Sequence, residues 1–169
     1  MHSIYSGTTL REMTPLLKEN KTKADLSGYG GKESMMSKKR FVYYQPNKKD
    51  LKDNFGDCQI RALSKALGCS WLDAFDMAIG VCRDEWVSLI FDAPIPVRSR
   101  MLDKLGFDYH GVSNKKGSKR PTVDNFAKDH PIGTYILGIA HHEVAVVDGK
   151  YYDTWDCGEY SVYGYFQKR

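Results

Sequence analysis

The chain has 169 residues, which suits one domain with a core that folds without disulfides or a structural metal. Its hydrophobic fraction of 41% and charged fraction of 27% are those of an ordinary soluble protein, not of a disordered or membrane-spanning one. The net charge of +4 is spread among interleaved acids and bases with no dense basic stripe, so a nucleic-acid partner is not expected.

Taken in order, residues 1–35 read as a flexible or loosely docked extension. Thr9 to Leu17 has helical character broken by Pro15, and the polar, glycine-containing run that follows has little apolar surface to offset the entropy of ordering. The domain proper is expected over 36–169. It opens with a strand at Phe41 to Tyr44, rich in β-branched and aromatic residues and stopped by Pro46. A turn at Asn54 to Asp57 delivers a helix over about Cys58 to Leu67, with Ile60, Leu63 and Leu67 at helical spacing and Gly68 to end it. Ser70 caps a second helix with Asp73 in a capping box, and its expected apolar face is Trp71, Leu72, Phe75, Ala78 and Ile79. A third helix is expected around Val97 to Leu105, ending at Gly106, and Thr122 caps a fourth over Val123 to Lys128, stopped before Pro131.

The period then changes from helix to strand. Strands are expected at Tyr135 to Ile139, His142 to Val147, Lys150 to Asp153 and Ser161 to Phe166, with Asp148-Gly149 as a two-residue hairpin turn. Helices first and strands after make an α+β layout, with N-terminal helices packed on a C-terminal antiparallel sheet.

The cysteines are Cys58, Cys69, Cys82 and Cys157. None forms a C-x-x-C pair, so neither a zinc ribbon nor a thioredoxin-type site is expected, and no other feature implies a metal or cofactor. The polar N-terminus carries no signal-peptide pattern and no apolar run reaches membrane-spanning length. The expectation is therefore a cytoplasmic protein with free thiols and no membrane partner. Lys115, Lys116, Lys119 and Arg120 form the one local basic cluster, read first as a solvated loop and second as a patch for an anionic partner.

Cys58 stands at the start of a helix after a glycine-containing turn, where unpaired N–H groups and the helix dipole favour a thiolate and an N–H can face an oxyanion. His142 opens a strand that ends in Asp148-Gly149. Counting outward from that turn pairs Val147 with Lys150, Val146 with Tyr151, Ala145 with Tyr152 and Val144 with Asp153. Asp153 then lies diagonal to His142 on the same face, where it is placed to fix the tautomer while the other ring nitrogen faces a thiol. A cysteine followed at a distance by a histidine and an acid is the order expected for a thiol nucleophile. Of the remaining residues, Cys69 and Cys82 read as structural, Cys157 as exposed in a turn, Trp155 as a core aromatic or a shield over the His142–Asp153 pair, and Arg61 as a partner of Asp57 or of substrate.

Asn54-Phe55-Gly56-Asp57-Cys58-Gln59-Ile60-Arg61-Ala62, with Ser64 and Trp71 after it, resembles the helix opening of small papain-like proteins often encoded by tailed phages and prophages. The segment from His142-Glu143-Val144 through Tyr152-Asp153-Thr154-Trp155-Asp156 resembles their second half, and the layout is similar to bacteriocin-processing peptidases of the papain-like class. The resemblance covers Met36 to the C-terminus. It implies a papain-like fold with Cys58 as nucleophile, His142 as base and Asp153 as orienter. Where relatives place an oxyanion-donating Gln before the cysteine, this chain has Lys52, so Asn54 is the substitute candidate and Gln45 a weaker one. Glu143 replaces an expected apolar residue, and its charge is expected to raise the histidine's pKa if the two come close.

These readings give a thiol hydrolase, of peptidase or amidase type, acting on a peptide or protein through an acyl-enzyme. The alternative is a non-catalytic phage-type protein on the same fold that binds a host factor.

Overall fold

In the computed structural model, residues 39–49, 56–85, 95–113, 115 and 117–169 are described, all within the compact unit Lys38–Arg169. The extension expected at 1–35, and the candidates Asn54 and Lys116, lie outside these residues.

The chain enters through β1 (Phe41–Tyr43) and reaches α1 (Cys58–Leu67), whose end is set by Gly68 at φ 69°, a left-handed conformation that favours glycine. In α2 (Trp71–Asp84), the Ser70 hydroxyl accepts from the Asp73 N–H while the Asp73 carboxylate takes the Ser70 N–H, the reciprocal cap read from the sequence. Next come α3 (Ile95–Lys104), β2 (Phe107–Gly111) and α4 (Val123–Asp129), the last capped by Thr122. The remaining strands are β3 (Thr134–Ile139), β4 (His142–Val147), β5 (Lys150–Asp153) and β6 (Gly164–Lys168).

The six strands form one sheet in the order β1-β5-β4-β3-β6-β2. The α+β class stands, but the sheet is mixed and not wholly C-terminal. β1 joins β5 in parallel, at the end of a long connection that carries the helices, and β2 pairs antiparallel with β6 on the other side. Both are non-local pairings that period-2 patterning does not reveal. The last strand also starts later than expected, at Gly164. Val162 is buried beside α4, and Ser161 makes only an isolated bridge to Thr122. Among the described residues no helix is long and apolar enough to cross a membrane.

Alternation along the strands feeds two cores. Ile136, Ala145 and Phe166 face the first three helices and meet Ile60, Leu63 and Leu102. Leu137, Val144, Val146 and Tyr151 form the other core with Val123 and Phe126 of α4. Ile60 and Leu63 are both 0% exposed, and burying each contributes about 1.5–3 kcal/mol, which pins the first turns of α1 to the sheet and so fixes where Cys58 stands. The inward face of α2 differs from the expected one. Ala74, Ala78 and Cys82 are buried, with Trp71 and Phe75 packed alongside, whereas Leu72 is 66% and Ile79 39% exposed. Small side chains let α2 lie close to α1, and the larger ones at Leu72 and Ile79 turn outward.

The β4–β5 hairpin matters most for the site. Asp148 at φ 48° and Gly149 at φ 73° make the two-residue turn. A Cβ on Gly149 would lie 3.2 Å from the Pro131 Cα, a second reason for glycine there. Val147 pairs with Lys150, Val146 with Tyr151 and Ala145 with Tyr152, the register obtained by counting from the turn.

Candidate active site

Three chain segments meet at one point: Cys58 opens α1, His142 opens β4 and Asp153 closes β5. The His142 Nε2 is hydrogen-bonded to the Asp153 Oδ2. That leaves Nδ1 on the side of Cys58, whose thiol lies close enough to the imidazole to act on it. Burial works to lower the imidazole's pKa, but the hydrogen bonds to Asp153 and Cys58, with the charges of both groups, push it up to about 9.

Asp153 is 2% exposed, and both its oxygens are engaged. Besides the imidazole it accepts from the Arg61 Nη2 at 3.1 Å and from the Thr154 backbone N–H at 2.7 Å, both at Oδ1. Arg61, one turn into α1, also donates to Asp57 through Nη1. The Asp57 Oδ2 in turn accepts from the Asn47 Nδ2 at 3.3 Å. Asp57 is the N-cap residue of α1 and of a type that usually caps, yet its side chain makes no capping hydrogen bond. Among the described residues, the first-turn N–H groups beside Cys58 therefore have no side-chain acceptor. Trp155 packs on His142 with ring centroids 5.3 Å apart, and Tyr160 meets Trp155 edge-on at 5.0 Å. With 39% of its surface exposed, Trp155 is a partial shield over the imidazole, not a core residue.

Two expectations are overturned. Cys157 was expected to be exposed and a rival reactive thiol; it is 0% exposed. Its turn folds back beneath β5, braced by Tyr151 Oη and the Gly158 N–H donating to Asp156 Oδ1 at 2.6 and 3.2 Å. Burial first, then the Asp153 charge and a hydrogen bond to that carboxylate, push the Cys157 thiol far above the ordinary range. Glu143 does not account for the raised imidazole. Strand alternation turns it to the opposite face of β4, where it is 4% exposed and accepts from the Arg98 Nη1 at 2.6 Å. Burial pushes the Glu143 carboxyl up, against the pull of Arg98. The imidazole owes its rise to Asp153 and Cys58.

Of the oxyanion candidates, Gln45 is turned to its own loop, its Oε1 accepting from the Asn47 N–H at 3.2 Å, while Asn54 lies outside the described residues. Cys82 is buried and Cys69 partly so, and burial pushes both thiols up. In the basic loop Lys115 and Lys119 are exposed, and the Arg120 guanidinium lies 4.3 Å above the Tyr163 ring. Among the described residues no group of His, Cys, Asp and Glu side chains gathers as a metal site.

A cleft of about 340 Å³ is lined in part by Arg98, Tyr109, Tyr163 and the β3–β4 turn up to His141; Cys58, His142 and Asp153 do not line it, and His141 is its one link in the chain to the imidazole. Gly138 and Gly164, which line it, belong to a cross-strand row in which Gly111 pairs with Gly164, Gly164 with Gly138, and Gly138 with Glu143. A Cβ at Gly164 would stand 2.7 Å from the Tyr109 hydroxyl, so glycine there lets the tyrosine ring lie across the strand. Sequence reasoning missed this row, because the glycines are far apart in the chain and only strand order aligns them.

Comparison with known proteins finds no matching family model, no matching curated protein and no matching solved structure.

Proposed function

We propose that this protein is a thiol hydrolase of amide bonds, built on a papain-like arrangement of a nucleophile helix against a sheet. The observation that carries the reading is the order of contacts Cys58–His142–Asp153, with Nε2 on the acid and the other ring nitrogen left for the thiol. An imidazolium beside a thiol favours the thiolate, which is the nucleophilic form.

In this reaction the Cys58 proton passes to His142 and the sulfur attacks the carbonyl carbon. The oxyanion is met by the first-turn N–H groups of α1. The imidazolium gives its proton to the leaving nitrogen as the C–N bond breaks, and an acyl-enzyme remains. Water then attacks with His142 as base, the C–S bond breaks, and the acid leaves. Asp153 holds the imidazole throughout, and Trp155 limits water access to it. The substrate class is a peptide or protein, a host protein if the gene is phage-borne. The protein works in the cytoplasm.

The exposed Lys115 and Lys119, next to an Arg120 stacked on a wall of the cleft, favour a second reading as a non-catalytic binding protein. One variant separates the two. Cys58→Ala abolishes cleavage of a peptide library while leaving the fold and melting behaviour intact if the hydrolase reading holds. Retention of the protein's biological effect in Cys58→Ala, with loss on charge reversal at Lys115 and Lys116, would install the binding reading instead.

A further inference from the structure

Arg61 is the residue that the proposed reaction leaves without a task, and it is unusual in three ways. It is buried, at 7% exposure, although nothing in acyl transfer demands a cation there. It lies one helical turn after the nucleophile's N-cap residue and spends two guanidinium nitrogens on two different carboxylates, Asp57 before the nucleophile and Asp153 behind the base. Its third nitrogen, Nε, is buried without a partner, so the side chain accepts a desolvation cost to hold this fork. Such a geometry suits a planar guanidinium and not the point charge of a lysine.

We propose that Arg61 is the positioning residue of this site, joining the start of the nucleophile's helix to the strand that carries the histidine's acceptor and keeping the helix N-terminus open. Both effects follow from the fork. On one side, Nη2 occupies Asp153 Oδ1 at 3.1 Å, which turns Oδ2 to the imidazole. On the other, Nη1 holds the Asp57 carboxylate, with Asn47 on its second oxygen. An aspartate at an N-cap otherwise folds over the first turn and takes its N–H groups. Here it does not, and those donors remain available beside Cys58. One side chain thus sets the orientation of the base and spares the N–H groups that would meet an oxyanion.

The inference rests on the hydrolase reading, but its test is separable from it. The groups facing the imidazole are Cys58 from α1 and Asp153 from β5; Glu143, on the opposite face of β4, meets it only through charge, and Arg61, Asp57 and Cys157 act on it through Asp153 or α1. Arg61→Lys keeps the cation and removes the fork. Two quantities are read on the full-length protein: the His142 titration by NMR, and the rate of iodoacetamide alkylation at Cys58 across pH 5–9, with melting temperature recorded alongside. With the fork lost, the His142 titration falls from about 9 toward its ordinary 6.5. Alkylation at pH 7 then slows on the order of tenfold or more, and its profile becomes that of an ordinary thiol rising near pH ~8.5. Should Arg61→Lys not fold, Arg61→Met with Asp57→Asn removes the fork without leaving an unpaired buried charge on Asp57; because it also removes the cation beside Asp153, only its Cys58 alkylation profile is read, and that slows in the same way. A variant that melts lower but keeps both the wild-type titration and the wild-type profile makes Arg61 a structural ion pair only, and overturns the proposal. If wild-type Cys58 itself proves inert, the hydrolase reading falls, and the imidazole titration still reports whether Arg61 positions Asp153.

Discussion

Cys58 and Cys157 stand at two ends of the same carboxylate, and their surroundings give them opposite chemistry. Between Cys58 and Asp153 lies an imidazole whose pKa is pushed up to about 9, so the group beside this thiol is a cation at neutral pH. Cys157 meets Asp153 directly, at 0% exposure, and both burial and the negative charge hold its proton in place. One group, Asp153, thus supports a cation on one side and holds a thiol's proton in place on the other. What sets a cysteine's reactivity here is the sign of the nearest charge and access to water, not proximity to an acid.

The comparison can be stressed in several ways. The largest expected effect is on stability against pH. The folded pKa of His142, about 9, lies above its ordinary 6.5, so its contribution is fully present below pH 6.5 and is lost as pH rises through 9. The loss is read as a fall in urea-unfolding free energy above pH ~8.5, where the unfolded Cys58 thiol also ionises and no longer offsets it, and His142→Gln does not show it. Next, Asp153→Asn moves the two thiols in opposite directions. Cys58 alkylation at pH 7 slows on the order of tenfold as the imidazole loses the negative charge of its acceptor. The Cys157 S–H infrared band, freed from a neighbouring negative charge, disappears at lower pH than in the wild type. Parallel movement of both thiols would break the comparison. The smallest effect belongs to Cys157→Ala, which costs about 1 kcal/mol of stability and leaves the Cys58 alkylation profile within a factor of two, as ~0.4 kcal/mol or less in rate terms.

Much of the site geometry was legible because it rests on local rules. A helix start after Gly56-Asp57, a strand start before an Asp-Gly turn, and counting across a two-residue hairpin are enough to bring Cys58, His142 and Asp153 into one neighbourhood. What failed was decided by long-range packing. Cys157 looks exposed because an Asp-Cys-Gly turn is polar in sequence, but its burial depends on β5 above it and on Val123 and Val162 beside it. On α2, Leu72 and Ile79 look like core residues until the close approach of α1 selects Ala74 and Ala78 instead. The parallel β1–β5 pairing, strand β2 and the glycine row are all non-local. The pairing of Arg61 with Asp57 was foreseeable at helical spacing; its second partner, Asp153, was not, since the two are separated by most of the domain.

The central claim is that an imidazolium poised by Asp153 activates Cys58 alone among the cysteines. The most direct test alkylates native protein with iodoacetamide from pH 5 to 9 and resolves Cys58, Cys69, Cys82 and Cys157 by mass spectrometry, in the wild type and in His142→Ala. The account predicts that Cys58 reacts fast already below pH 7, slows by about a hundredfold in His142→Ala, and outpaces the other three, with Cys157 inert until the protein unfolds. Equal reactivity of Cys58 and Cys157, or a Cys58 rate indifferent to His142, would contradict it.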